Sequence, residues 1–105
     1  GSGDVAVLGT PRVIALMEQA TCEALRGLLP ASRTSVGTHV SIAHRKPSPL
    51  DSDVTARATV IAVEGDVVTF EVSASHHTAF GDTLEDVATG TITRVVVDRD
   101  RFAAD

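Results

Sequence analysis

Residues 10–28, TPRVIALMEQATCEALRGL, predict the one long helix of this chain and so decide its fold. Thr10 is a good N-cap residue, and Pro11 suits the first helical position. Pro30 cannot continue a helix and closes this one. We therefore expect a helix that runs from Pro11 to about Leu28.

Apolar side chains cover about half of the surface of this helix or more, when residues are placed at about 100° per step. The main apolar sector contains Val13, Met17, Ala20, Ala24 and Leu28, with Ile14, Leu25 and Leu29 extending it. The polar stripe is narrow and contains Arg12, Gln19, Glu23 and Arg26. A helix this apolar is expected to be wrapped by the rest of the domain.

Four strand candidates follow the helix, each supported by alternating apolar and polar residues. Their approximate bounds are Ser35–His44, Val54–Val63, Val67–Ser75 and Ala88–Asp98. The third strand should direct Val68, Phe70, Val72 and Ala74 inward. Glu64-Gly65-Asp66 is a hairpin signal. Pro47-Ser48-Pro49 and the polar segment His76–Asp86 should separate the remaining strands.

One wrapped helix followed by an antiparallel meander is an α+β pattern, and residues 1–105 fit a single domain. A sheet that curls around one central helix is the hotdog arrangement. A sheet of four to five strands has exposed edges, and pairing with a second copy would cover one of them. We therefore expect a homodimer.

The composition excludes several classes of protein. The net charge of −5, from 9 basic and 14 acidic side chains, argues against a nucleic-acid binder. No apolar run approaches the roughly 18 residues of a membrane span, and no secretion signal is visible. Cys22 is the single cysteine, so neither an internal disulfide nor a cysteine-based zinc site is expected. We expect a cytoplasmic protein.

Glu18 and His44 are the first candidates for chemistry. On the helical wheel Glu18 lies away from the polar stripe, so its carboxylate is either half-buried or faces a cavity; the alternative is a border residue that reaches solvent. His44 shares its strand face with Val40 and Ile42. It suits general acid–base catalysis, although a lone histidine on an apolar face is more often structural.

Thr10 and Gly37 are further candidates. The Thr10 hydroxyl could bind or attack a substrate beside the free N–H groups of the helix N-terminus, which favour a developing oxyanion. Gly37 would permit close approach of the backbone to a ligand, but a bulge explains a strand glycine equally well. The four histidines, His39, His44, His76 and His77, have no recognised zinc spacing, and no metal site is predicted.

Three segments carry a resemblance to a known family. They are VLGTPRVIALMEQAT (7–21), TSVGTHVSIAH (34–44) and GTITRVVVDRDRF (90–102). In order, they are similar to the helix-opening motif, the first long strand and the closing strand of the fluoroacetyl-CoA-thioesterase-like proteins, which have the hotdog fold. The similarity extends over about residues 5–102.

The resemblance implies a thioester hydrolase that acts on a small acyl group carried by coenzyme A or by an acyl-carrier protein. It also implies that Thr10, Glu18 and His44 form the catalytic site across a dimer interface. Gly37 would face the acyl pocket, and Arg94 would lie near the substrate. No metal or redox cofactor is implied. Members usually begin with a further strand and loop, which we expect to be missing here.

Two other functions fit the same fold. A non-catalytic hotdog module would bind an acyl group or a partner, and its His44 would pack away from Glu18 of both chains. A hotdog hydratase or dehydratase would need an Asp/His or Asn/Glu site, for which no motif is present. Basic residues that could contact coenzyme A phosphates are Arg33, Arg45 and Lys46.

Overall fold

The computed structural model describes residues 9–45, 54–77 and 84–100. These residues form, in chain order, helix α1 (Thr10–Arg26) and strands β1 (Arg33–His44), β2 (Val54–Glu64), β3 (Val67–His77) and β4 (Leu84–Asp98). Helix α1 packs against one face of a four-stranded antiparallel sheet. This is the hotdog arrangement that the sequence predicts.

Helix α1 begins one residue earlier than predicted. Gly9 has extended backbone (φ −70°, ψ 153°), and its carbonyl accepts hydrogen bonds from the N–H groups of Arg12 at 3.1 Å and Val13 at 3.2 Å. The helical bonds therefore close onto Gly9, and Thr10 already has helical geometry. The prediction that Thr10 is the N-cap was wrong by this one position. The helix ends at Arg26, two residues before the predicted end.

The buried side of α1 is a single stripe with a spacing of four residues. It consists of Val13, Met17, Thr21 and Leu25, none more than 5% exposed. Thr21 is tolerated there because its hydroxyl donates to the Glu18 carbonyl at 2.6 Å. The predicted polar stripe is exposed, as expected. The helix thus buries this stripe against the sheet, and Leu28, beyond its end, is 74% exposed. No helix within the described residues could cross a membrane.

The strand order in the sheet is β1-β4-β3-β2. Strands β2, β3 and β4 form the predicted meander. Strand β1, however, pairs with β4 and lies on the far side of the sheet from β2. The prediction of one continuous meander was therefore wrong for β1, because apolar alternation shows which face of a strand is buried but not which strand lies beside it. Among the described strands, β1 and β2 are the edges.

The hydrophobic core lies between α1 and the inner face of the sheet, which is the face that α1 covers. Strand β3 contributes Val68, Phe70, Val72 and Ala74, all buried as predicted. Strand β4 contributes Val87, Ala88, Ile92 and Val96. Ile42 of β1 packs against this core from the edge.

The hairpin between β2 and β3 confirms the turn predicted at Glu64-Gly65-Asp66. Gly65 has a positive φ of 60°, a conformation that glycine adopts at little cost. Next to it, β2 departs from strict alternation at a bulge between Val60 and Ala62. Beyond the bulge the strand turns apolar residues outward, and Ile61 and Val63 are 54% and 61% exposed.

Strands β3 and β4 extend into the segment predicted to be a polar connection. Polar side chains pair across this part of the ladder: Ser75 donates to Asp86 at 2.6 Å, and His76 Nε2 lies 3.1 Å from Glu85 Oε1. Cross-strand partners of this kind stabilise strand pairing without apolar alternation, so the sequence pattern alone hides these strand ends. The break predicted at Pro47-Ser48-Pro49 lies outside the described residues.

Candidate active site

Three of the predicted site residues meet at one end of the inner face. Arg94 on β4 pairs with Gly37 on β1, and Glu18 of α1 lies above them. A Cβ atom placed on Gly37 would lie 3.4 Å from Arg94 Nη1 and 3.7 Å from Glu18 Oε2. The missing side chain of Gly37 therefore leaves the space that a carboxylate and a guanidinium share.

Ser35 fixes the position of the Arg94 guanidinium. The residue is only 7% exposed. Its Nε donates to the Ser35 hydroxyl at 2.8 Å, and its Nη2 donates to the Ser35 carbonyl at 3.0 Å. These two bonds fix the guanidinium plane and direct Nη1 towards Gly37. The sequence analysis missed Ser35, since its role depends on the pairing of β1 with β4.

A β-bulge places Gly37 and His44 on the same face of β1. Strict alternation would put residues 37 and 44 on opposite faces, because they are an odd number of positions apart. The ladder register shifts between Gly37 and His39, so that Thr38 is the extra residue. After this shift, the residues that face inward are Val40, Ile42 and His44, as the alternation predicted.

His44 lies at the opposite end of the inner face from Glu18. It is the last residue of β1, is half-buried and pairs with Ala88. Ala88 and Arg94 are six residues apart on β4, which corresponds to on the order of 20 Å along a strand. Within one chain the structure therefore brings Glu18, Gly37 and Arg94 together, but it does not bring His44 to them.

Thr10 occupies the first position of α1. Its side chain lies outside the described part of the structure, so its hydroxyl remains a sequence-based candidate. Of the basic residues expected near coenzyme A phosphates, Arg33 is engaged with carboxylates: it lies 3.2 Å from Asp66 and 3.4 Å from Asp98. Arg45 is exposed just after β1, and Lys46 lies outside the described residues.

Metal-ligating side chains do not cluster in the described ranges, where no three His, Cys, Asp or Glu residues gather. His39 and His44 lie on opposite faces of β1, as their spacing predicts. His76 faces Glu85 across the ladder. The side chains that the described structure brings together beside Gly37 are therefore a carboxylate and a guanidinium.

The sequence and the fold are similar to those of thioesterases. The model of the family described as fluoroacetyl-CoA-specific thioesterase matches residues 1–100. The fluoroacetyl-CoA thioesterase of Streptantibioticus cattleyicolor is 30% identical over 98 residues, which cover 93% of this chain. The chain spans 66% of the length of that relative, slightly less than two thirds.

Two solved structures extend the comparison. A variant of a fluoroacetyl-CoA-specific thioesterase in complex with fluoroacetate and CoA has a TM-score of 0.79 and 29% identity, covering 91% of this chain and 72% of that one. A hot-dog-like protein from Thermanaerovibrio acidaminovorans has a TM-score of 0.81 and 32% identity, covering 94% of this chain and 69% of its own.

Proposed function

Because this chain belongs to the fluoroacetyl-CoA-specific thioesterase family, we propose that it hydrolyses a small acyl group from a thioester of coenzyme A or of an acyl-carrier protein. The observation that carries this proposal is the group of Glu18, Gly37 and Arg94 on the inner face. A carboxylate and a buried guanidinium there both lie within 3.7 Å of the position that a Cβ atom on Gly37 would take. In the proposed complex the acyl group lies against the Gly37 backbone, beside these two side chains.

The reaction needs a nucleophile, a general base and hydrogen-bond donors that stabilise the oxyanion. The nucleophile is either the Thr10 hydroxyl or a water molecule, and its oxygen bonds to the thioester carbonyl carbon as His44 takes the proton. The N–H groups at the start of α1 would stabilise the oxyanion. The C–S bond then breaks, and the proton passes from His44 to the leaving sulfur. Where water attacks, this step already gives the free acid; where Thr10 attacks, a water molecule then attacks the Thr10 ester with His44 as base, the ester C–O bond breaks, and the proton returns to the Thr10 oxygen. Glu18 would orient and polarise these groups.

The site we propose is completed by a second copy of the chain. Strand β1 is an edge, and the stretch Gly37–Ser41 is exposed. When two β1 strands pair antiparallel about a twofold axis, the first half of each strand lies beside the second half of the other. An axis near residues 40–41 would bring His44 of one protomer beside Gly37 of the other. This pairing would join the groups that a single chain holds apart.

The test compares two histidines on the same strand. His44→Ala should lower thiol release from the best acyl-CoA substrate at least about tenfold, since general acid–base catalysis contributes about 10²–10⁴-fold. The control is His39→Ala, because His39 is exposed on the opposite face of β1 and should leave the rate unchanged. Release is followed with a thiol reagent over a panel of acyl chain lengths.

The competing function, a non-catalytic binding module, has a different outcome in the same experiment. A folded dimer that turns over no acyl-CoA and no acyl-carrier thioester would favour the binding module. Equal rates for both histidine variants and the wild type would remove His44 from the mechanism.

A further inference from the structure

A cavity of about 390 Å³ lies between the C-terminal end of α1 and the beginning of β1. Its lining combines apolar side chains, among them Leu25 and Leu29, with Cys22, Ser35 and four arginines. We infer that this cavity is a subsite for an anionic group, a phosphate or a carboxylate, of the substrate. The inference rests on the proposed function, because the thioester would supply the anion.

The charge of the lining supports this inference. Four of the lining residues are arginines, and none is acidic. Arg33 lies against two carboxylates, those of Asp66 and Asp98, which more than offset its single positive charge but are themselves more than half exposed. Among the residues that the structure describes, Arg99 donates to two neutral carbonyls, those of Ala31 at 3.0 Å and of Arg33 at 3.4 Å, and these bonds hold its position without offsetting its charge.

The partial negative charge at the C-terminal end of α1 repels an anion, but this repulsion is weaker than the attraction from the arginines. The C-terminal end of a helix carries the equivalent of about half a negative charge. Arg26, exposed in the last turn, and Arg99 together carry two positive charges, and the Arg94 guanidinium lies on the same side of Gly37 as the Glu18 carboxylate. The balance at the cavity is positive. Guanidinium groups bind phosphate and carboxylate oxygens through paired hydrogen bonds.

The position of the cavity connects it to the proposed catalytic group. Arg94 and Ser35 line the cavity, and the same Arg94 side chain reaches the space above Gly37. Apolar side chains such as Leu25 and Leu29 form another part of the lining. A ligand with an anionic end and a short apolar portion would fit between the arginines and Glu18. Two parts of a thioester carry such an anion: the phosphate-bearing end of coenzyme A, and an acyl chain that ends in a carboxylate, which also has the short apolar portion.

The single cysteine makes occupancy of the cavity measurable without catalysis. Cys22 lines the cavity and is partly exposed. Its alkylation by iodoacetamide, followed by mass spectrometry, should slow at least about fivefold when the proper anion is bound. The probes are desulfo-coenzyme A, desulfo-pantetheine, which lacks the phosphates, and glutarate. Protection by desulfo-coenzyme A but not by desulfo-pantetheine identifies the phosphates as the ligand; protection by glutarate identifies a carboxylate.

Arg26→Gln should weaken the protecting ligand about fivefold to tenfold, the usual effect of losing one exposed charge-assisted hydrogen bond. Arg57→Gln is the matched control, since Arg57 is an exposed arginine on β2 that does not line the cavity. The ratio of rates with and without ligand, taken within each variant, corrects for any change in the reactivity of the thiol itself.

The inference is overturned if none of the three probes protects Cys22, or if Arg26→Gln and Arg57→Gln bind the protecting probe equally. Failure of the proposed function gives a different result. The probe would still protect Cys22, and Arg26→Gln would still weaken its binding, but no thioester would release its thiol. The two hypotheses can therefore fail separately.

Discussion

Gly37 and Gly90 both lie on the inner face of the sheet, yet an added methyl group would meet different surroundings at each. At Gly37 the nearest atoms are the ends of two side chains, those of Arg94 and Glu18, at ordinary contact distances. At Gly90 a Cβ atom would overlap the Ser41 carbonyl oxygen and lie 2.9 Å from the Ile42 Cα. The first glycine leaves room for a ligand, and the second leaves room for the neighbouring strand.

Gly37→Ala should therefore preserve the fold and reduce activity. We expect kcat/KM to fall about tenfold or more, because a methyl group occupies the proposed acyl space and a misplacement of about 1 Å can cost 10²-fold. The urea midpoint should stay close to that of the wild type. Unchanged kinetics with the best acyl-CoA would show that Gly37 does not border the acyl group.

Gly90→Ala should have the opposite effect. The clash is with backbone, so β1 must shift from β4, and overpacking of this kind costs about 1–3 kcal/mol of folding free energy or more. Urea denaturation monitored by far-UV circular dichroism measures this loss. A midpoint as high as that of Gly37→Ala would contradict the close packing of β1 against β4.

At the scale of elements, the sequence predicts what depends on local pattern. The helix, the inward residues of β3 and the Gly65 turn follow from periodicity and from turn chemistry, and the structure has all three. The neighbour of β1 and the strand ends near Ser75 and His76 depend on pairing between distant segments. Alternation carries no information about such pairing, so these features were missed.

The residues of the candidate site likewise divide into those that the sequence identifies and those that depend on the pairing of distant strands. Glu18 was singled out because it interrupts an apolar part of the helical wheel, and the resemblance to the family added Gly37 and Arg94. Ser35 was missed, since its hydroxyl matters only once β4 lies beside β1. A bulge was one of the two explanations that the sequence allows for Gly37, and the structure has it at Thr38; the inward direction of both Gly37 and His44 depends on it.

Deleting Thr38 tests the bulge as a structural element. Without the extra residue, the part of β1 after Gly37 must turn over or lose its register, and Ile42 would leave the core. Burial of an isoleucine side chain is worth about 1.5–3 kcal/mol, so the urea midpoint should fall clearly, and thiol release should be lost. Thr38→Ala keeps the residue count and should keep both properties. A deletion variant as stable and active as Thr38→Ala would show that the bulge is dispensable.

At the scale of the whole molecule, Glu18 and His44 lie at opposite ends of the inner face. A site that needs both residues must therefore take them from two chains. The exposed edge at β1 offers the surface for such pairing, and a twofold axis would generate two equivalent sites per dimer.

Mixing two inactive variants distinguishes a shared site from a site within one chain. Glu18→Gln and His44→Ala, unfolded together and refolded in equal amounts, should regain about a quarter of the wild-type activity, because half of the dimers are mixed and each mixed dimer has one intact site. Each variant refolded alone is the control. No recovery, from a mixture shown by mass spectrometry to contain mixed dimers, would place the site within a single chain.

The separation of Glu18 from His44 also has a genetic consequence. If two chains share the site as proposed, a mixed dimer in a cell that expresses a normal allele and an allele with His44→Ala would keep one working site, and total activity would fall only in proportion to the normal subunits. An allele that carries both His44→Ala and Glu18→Gln damages both sites of every mixed dimer, and it is therefore dominant over the normal copy. When both substitutions lie on one allele, its product therefore lowers the activity of the normal subunits. When they lie on separate alleles, the mixed dimers restore part of the activity.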